Sequence, residues 1–369
     1  MTDGPSQSLS IAGQPSAYGD TFVAIDLMKG VDAFRYSDPT GPVADPHVPL
    51  SALRLDAKGW LKSLPVIDGV PQTVWGNIIY TQALPPGKYI LEWQGEGSIT
   101  TWTDHTQIAP NKLLVDFTAN YINDQGNPKD DGVTVIVSAT DPNHTSNYLR
   151  DIKFYRQQDA DLIAAGEHFN PDWFNRVNDF RVLRTHNWQS TNFPNVVDCS
   201  RNKYAADQAV WGLEGRGMPY ELLVELANQT RSDLWITIPH RASDQFIANA
   251  AAYLHAHLDP DLRITPEFST EYWTSIFDQY AWFQAGGVAN YPNAAFSAGQ
   301  FYGTKAEHMA DIFRAEFGAG SMQLNPVLTT NHAMFASGAA EKILRAPAEV
   351  AKGGAAPYTH GFKILATDG

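Results

Sequence analysis

The sequence predicts a multidomain chain of β plus α/β class, an N-terminal β-sandwich followed by a TIM-like (β/α) barrel, either whole or incomplete. Two observations carry this expectation. Before about residue 155, short β-type runs are separated by Gly, Pro and Asn, with little helical periodicity. After about residue 160, apolar strand-like runs alternate with stretches of helical spacing, the pattern of parallel βαβ units. The expected divisions are a flexible, Ser/Gly/Pro/Gln-rich tail over 1–18, the sandwich over 19–155, and the barrel over 156–369.

Composition narrows the function classes. The chain has 369 residues, more than one small core needs, with 43% hydrophobic and 18% charged residues, as in globular proteins. Its formal net charge is −14 and no basic run occurs, which argues against a nucleic-acid partner. A neutral polysaccharide or oligosaccharide is compatible with that charge. The 10 Trp, 15 Tyr and 18 Phe suit sugar stacking and a large β core equally well. No stretch is long and apolar enough for membrane insertion, and Met1–Ser6 lacks the regions of a signal peptide. The expectation is a soluble protein; an extracellular or virion-associated location would need another carrier. Cys199 is the single cysteine and reads as a structural thiol. Neither a metal nor a cofactor is expected.

In the N-terminal half the β-type runs are Thr73–Tyr80, Gly87–Trp93, Lys112–Phe117 and Gly132–Ser138. Turn segments such as Leu84–Gly87, Asn123–Gly126 and Asp141–Asn143 lie between them. Trp75, Trp93 and Trp102 either form a sugar platform or fill the core. Asn143–Thr145 matches a glycosylation sequon, a pattern too common by chance to carry weight.

In the C-terminal half, strands are expected at Phe180–His186, Leu234–Pro239, Arg263–Glu267 and Met322–Thr329. Helices are expected at Tyr220–Asn228, Asp244–Leu258, about 272–284 and about 336–350. Polar residues gather where these strands end: His186, Asn187 and Trp188; His240; Glu267 and Glu271; Thr330, Asn331 and His332. In a (β/α) barrel the catalytic face lies at the carboxyl ends of the strands, so separate clusters would converge there.

The segments Tyr18–Phe22, Asp26–Lys29, Leu55–Trp60, Val182–Arg184, Asn187–Trp188, Thr191–Asn192 and Trp235–His240 carry a family resemblance. Asn325–Pro326 and Ala356–Tyr358 add to it, and the most specific piece is Glu267–Trp273 (EFSTEYW). That piece is similar to an EYSNEVW element, and the chain from about 18 to 358 resembles large secreted bacterial proteins labelled cellulase-like or cellulose-binding. Those join an N-terminal β-domain to a barrel of the retaining glycoside-hydrolase type. The resemblance implies Glu271 as general acid/base, with Glu267 orienting it or binding substrate. The strand-end clusters and these matched segments together mark His186, Asn187, Trp188, His240, Trp273, His332 and Tyr358 as expected substrate-binding positions. Two departures stand out. Thr270 replaces the Asn that normally precedes the acid/base and bonds the sugar 2-hydroxyl. Four or five βα units are visible over 156–369, fewer residues than the ~250 of an eight-fold barrel, so the barrel is compressed, open or completed by another chain.

Glycoside hydrolysis uses two carboxyl groups, about 5–5.5 Å apart for retention and about 6.5–9.5 Å for inversion. Glu267 and Glu271 could themselves be that pair. Alternatively, Glu271 is a first-turn acid favoured by a helix dipole and Glu267 a loop ligand. His186 and His240 could hydrogen-bond a sugar or polarise a carboxylate, or be structural. Two functions follow: a glycoside hydrolase acting on polysaccharide, or a catalytically silent glycan-binding component among other subunits of an assembly such as a phage tail or virion.

Overall fold

The computed structural model describes residues 7–10, 22–31, 35–36, 53–78, 84–117, 133–192, 209, 211, 217–331, 343 and 363–366. The strands begin with β1 (Ser8–Ser10), β2 (Arg35–Tyr36), β3 (Arg54–Leu55), β4 (Leu61–Ser63), β5 (Val66–Ile67) and β6 (Val70–Pro71). Next come β7 (Val74–Asn77), β8 (Gly87–Gln94), β9 (Gly97–Thr100), β10 (His105–Ala109), β11 (Lys112–Phe117), β12 (Thr134–Thr140) and β13 (Arg150–Arg156). The last are β14 (Val182–Arg184), β15 (Asp233–Ile238), β16 (Ile264–Phe268), β17 (Val327–Thr330) and β18 (Lys363–Ala366). The helices are α1 (Ala160–Ala165), α2 (Pro171–Val177), α3 (Tyr220–Thr230), α4 (Asp244–His257), α5 (Asp278–Asn290) and α6 (Ser297–Phe317). The class is mixed α/β, with several antiparallel sheets and one curled parallel sheet that makes a half-barrel.

Two compact units divide the chain. One is Pro15–Arg176 with Ala205–Glu214; the other is Met1–Gln14, Val177–Tyr204 and Gly215–Gly369. The division therefore falls later than the expected break at 155/156, since α1 and α2 up to Arg176 group with the β-rich unit. The expected tail over 1–18 also needs correction. Ser8–Ser10 is a strand of the other unit, paired in parallel with Val182–Arg184, and Leu9 sits opposite Leu183.

In the β-rich unit, two four-stranded antiparallel sheets have the orders β10-β11-β8-β13 and β2-β7-β12-β9. A single buried cluster draws on both: Tyr89, Leu91, Trp93, Leu113, Val115 and Phe154 from the first, Val74, Ile99, Val135 and Val137 from the second. Successive strand side chains point to opposite faces, so Ile90 turns the other way and meets Ile25 and Tyr155. Leu162 and Ile163 of α1 pack over that second face. The runs expected at 73–80 and 112–117 contain β7 and β11, and those at 87–93 and 132–138 overlap β8 and β12, which end at Gln94 and Thr140.

In the other unit all described strands are parallel, in the order β1-β14-β15-β16-β17-β18. Along β15, Leu234, Ile236 and Ile238 share one face and Trp235 and Thr237 the other. The same alternation on β16 sets Ile264, Pro266 and Phe268 against Thr265 and Glu267. Helix α3 packs on β15 and on α4, while α6 packs on α4, α5 and β16. Helix α4 starts as expected, with Ser243 Oγ accepting from Phe246 N–H at 3.2 Å. The helix expected from 272 begins instead at Asp278, after turns closed by Thr274 N–H to Glu271 O and Phe277 N–H to Thr274 O. Helix α6 has no counterpart among the expected elements. The helix expected at 336–350 lies outside the described residues apart from 343. No described helix is long and apolar enough to cross a membrane.

Candidate functional site

Three parallel strands each contribute one side chain to a carboxylate carried by a fourth. Glu267 on β16 is fully buried. Its Oε2 accepts from Arg184 Nη2 at 3.0 Å, from Arg184 Nε at 3.3 Å and from Trp235 Nε1 at 2.8 Å. Its Oε1 accepts from Arg184 Nη2 at 3.1 Å and Thr329 Oγ1 at 2.8 Å. Arg184 comes from β14, Trp235 from β15 and Thr329 from β17. The guanidinium also lies over the Trp235 ring, 4.8 Å from its centroid. Thr329 N–H donates to Tyr302 OH at 3.0 Å, and Tyr302 stacks on Tyr272 with centroids 4.4 Å apart. Every lone-pair direction of the Glu267 carboxylate is engaged. A carboxylate so enclosed positions its neighbours; it offers no lone pair to a sugar carbon.

Glu271 differs in each respect. It is half-buried, it sits just beyond the carboxyl end of β16, and no described group donates a hydrogen bond to its carboxylate. Burial raises its pKa above the ordinary Glu value, and the nearby Glu267 charge adds to this while Arg184 opposes it. Its backbone has φ +40° and that of Ser269 +59°, left-handed conformations that non-glycine residues adopt only when surroundings hold them there.

Those surroundings are a polar network between two strand-end loops. Thr270, nearly fully buried, donates through Oγ1 to Asn192 Oδ1 at 3.0 Å. Gln279 Nε2 donates to the same Asn192 oxygen at 2.8 Å and to Thr270 O at 2.9 Å. Asn187 Oδ1 accepts from Thr191 Oγ1 at 3.0 Å and Asn192 N–H at 2.9 Å. The loop after β14 thereby fixes the loop that carries Glu271. The side chain at 270, where the resemblance implies an Asn touching sugar, faces into this network.

The remaining expected site residues divide. His186 is half-buried, has φ +37°, and its ring pKa is pulled down to about 4 by burial and then by Arg184. Its carbonyl accepts from Thr237 Oγ1 at 2.5 Å, tying the loop to β15. Trp273 is half-buried and stands edge-on to Tyr272, with centroids 5.1 Å apart. Asn187 serves the loop, as above. Trp188 is fully buried and has no ring face open to a ligand. That corrects its expected role: a residue beside a strand end turns inward here because His186–Gln189 coils into a 3-10 turn. His240 is only 2% exposed and packs against Trp282 and Phe283, with centroids at 5.3 and 6.3 Å. Burial, then Arg241, pulls its ring pKa to about 4. It belongs to a cavity of about 410 Å³ bordered also by Arg241, Asp244, Trp282, Lys305 and His308, which no member of the Glu267 group lines. His332, Tyr358 and Cys199 lie outside the described residues.

In the β-rich unit Trp93 is core, whereas Trp102 is 73% exposed and tilts against half-buried Trp75 at 6.2 Å. Sequence reasoning did not find Arg184 and Thr329 as ligands of Glu267, nor the Thr270–Asn192–Gln279 network. Among the described residues no three His, Cys, Asp or Glu side chains are grouped to hold a metal ion. In comparison with known proteins, the chain matches no family model, no curated protein and no solved structure.

Proposed function

We propose that this chain is a carbohydrate-handling protein of glycoside-hydrolase type, with Glu271 as its general acid/base. The finer architecture belonging to this reading is a β-sandwich made by the two four-stranded sheets and a TIM-like barrel that includes the parallel half-barrel. The observation that carries the reading is the contrast between two carboxyl groups four residues apart. Glu267 is locked by Arg184, Trp235 and Thr329. Glu271 is half-buried, lacks a donor and has a raised pKa. A general acid must keep its proton near neutral pH until the glycosidic oxygen takes it, and partial burial favours the protonated form. The strained loop aims that carboxyl, and Glu267 acts through Arg184 as a positioning residue. Trp273 on the same loop and the exposed Trp102 supply flat faces for sugar rings.

A second reading has its own support. Both standard glycosidase geometries need two working carboxyl groups, and the saturation of Glu267 removes it from that role. On this reading the chain binds glycan without cleaving it, as a component of a larger assembly.

Reducing-sugar release from a polysaccharide panel separates the two. Release by the native chain that falls at least a hundredfold in Glu271→Gln supports the acid/base assignment. Release that persists in the variant removes it. Saturable polysaccharide binding with no release by either protein supports the second reading.

A further inference from the structure

Phe268 borders the cavity of about 410 Å³, whereas Glu267, one residue earlier on β16, points to the opposite face of the strand. The cavity lies within the half-barrel unit, with Ile247 of α4, Trp282 of α5, and Lys305 and His308 of α6 on its border. Its charged groups can be reached from solvent: the Arg241 side chain is 37% and the His308 side chain 50% exposed, and Lys305 is half-buried. Their positions are tied together. His308 Nε2 is hydrogen-bonded to Asp244 Oδ1 at 2.9 Å, which holds α6 against the first turn of α4. Lys305 stands one turn before His308 on the same helix face. Its Nζ is 5.6 Å from the Phe301 ring centroid, and that ring is 5.1 Å from the Trp282 centroid. Ammonium and indole are therefore within the span of one small ligand.

Pairing the charges shows which group is missing. Arg241 Nη2 meets Asp278 Oδ2 at 3.2 Å, and His308 meets Asp244. His240, with its ring pKa pulled to about 4, adds no charge at neutral pH. Lys305 is the surplus: among the described residues no carboxylate pairs with it. Arg241 has donors to spare as well, since Nε to His240 Nε2 and Nη2 to Asp278 engage two of its five N–H groups. A cationic ligand would meet Lys305 and Arg241. A neutral one would take water from Lys305 and return no counter-charge. A dianion such as phosphate would bring a second negative charge beside Asp244. A single carboxylate matches the surplus, and the N-terminus of α4 adds a field of the favourable sign. The rest of the wall is apolar, from Ile247, Phe268 and Trp282, and the volume falls within the range of small-molecule sites.

We propose that this cavity is a second ligand site, taking a ring that bears one carboxylate, with the carboxylate on Lys305 and Arg241 and the ring along Trp282. An aromatic acid and an acidic sugar share this chemistry, so the site requires neither the glycan reading nor a catalytic Glu271.

The test is calorimetric and saturation-transfer NMR titration of the full chain with benzoate and glucuronate, with benzyl alcohol and glucose as their uncharged counterparts, and with inorganic phosphate. At least one acid is expected to bind saturably, about tenfold or more tighter than its uncharged counterpart. Binding of benzoate alone assigns the cavity to an aromatic acid; binding of glucuronate alone assigns it to an acidic sugar. Lys305→Met keeps an apolar stem and removes the charge. It is expected to weaken binding about tenfold or more and, since Lys305 has no ion-pair partner to strand, to keep the native unfolding midpoint. Lys305→Arg keeps the charge and is expected to stay within about threefold of the native affinity. Lys88→Met removes one charge from an exposed position on β8 in the other unit and is expected to leave binding unchanged, which separates local contact from net charge. No saturable binding of either acid would overturn the proposal. So would equal affinity in the native chain and Lys305→Met, or phosphate or an uncharged counterpart bound as tightly as the acids.

Discussion

Arg184 on β14 reaches across the intervening strand β15 to Glu267 on β16, and its Nη2 alone contacts both carboxylate oxygens, at 3.0 and 3.1 Å. Neither partner can be removed without leaving the other stranded, since the two side chains are 11% and 0% exposed. Glu267→Gln is therefore expected to destabilise its unit by about 3–5 kcal/mol, because a buried guanidinium loses its counter-charge. The double substitution Arg184→Met with Glu267→Leu should recover part of that loss. Urea unfolding followed by circular dichroism checks both, and losses that simply add would refute the coupling.

The pair shows where sequence reading stops. The runs at 87–93 and 112–117 are legible because alternation and turn residues are local signals, and β8 and β11 follow from them. Strand-end clustering also points to Glu267 and Glu271. What separates the two carboxyl groups is not local: Arg184 lies 83 residues from Glu267 and Thr329 lies 62. The burial of Trp188 and His240 is hidden for a related reason, since side-chain direction past a strand end depends on the turn that follows. Helix α6 hides differently. Gly299 and Gly303 weaken its propensity, yet a Cβ at 303 would stand 2.1 Å from Ile343 O, so a small residue is needed for close packing. The cost in propensity is outweighed by tertiary contact.

The three Trp residues of the β-rich unit should respond differently to truncation. Trp93 is 9% exposed within the shared core, so Trp93→Ala should cost about 3–5 kcal/mol. Trp102→Ala removes an exposed ring and should change stability by less than about 0.5 kcal/mol. On the glycan reading, the same Trp102→Ala should lower retention on insoluble polysaccharide in a pull-down assay. Unchanged retention would exclude the Trp75–Trp102 face as a platform.

Gly287 of α5 packs tightly against the first turn of α6. A Cβ there would lie 2.5 Å from both Ala298 N and Ser297 C, which are backbone atoms that cannot rotate away. Gly287→Ala should thus destabilise by about 1–3 kcal/mol, although alanine is the better helix former. Thermal unfolding of the variant measures this; a stabilised protein would show that the two helices separate freely.

Stability should depend on pH in two opposite ways. His186 and His240 have ring pKa values pulled from 6.5 to about 4, so the folded chain binds fewer protons than the unfolded chain between those values. Their contribution is complete above pH 6.5 and is lost as pH falls through that window towards 4. Glu271 is shifted the other way. Its raised pKa lets the folded chain hold a proton that the unfolded chain releases, so its contribution is complete below the ordinary Glu range and is lost as pH rises through the raised value. Urea unfolding as a function of pH distinguishes the groups. His186→Gln with His240→Gln should flatten the slope between pH 6.5 and 4. Glu271→Gln should leave that slope and gain stability relative to the native chain as pH rises above the Glu range. A native chain whose imidazole NMR shifts titrate near 6.5 would contradict the burial of both rings.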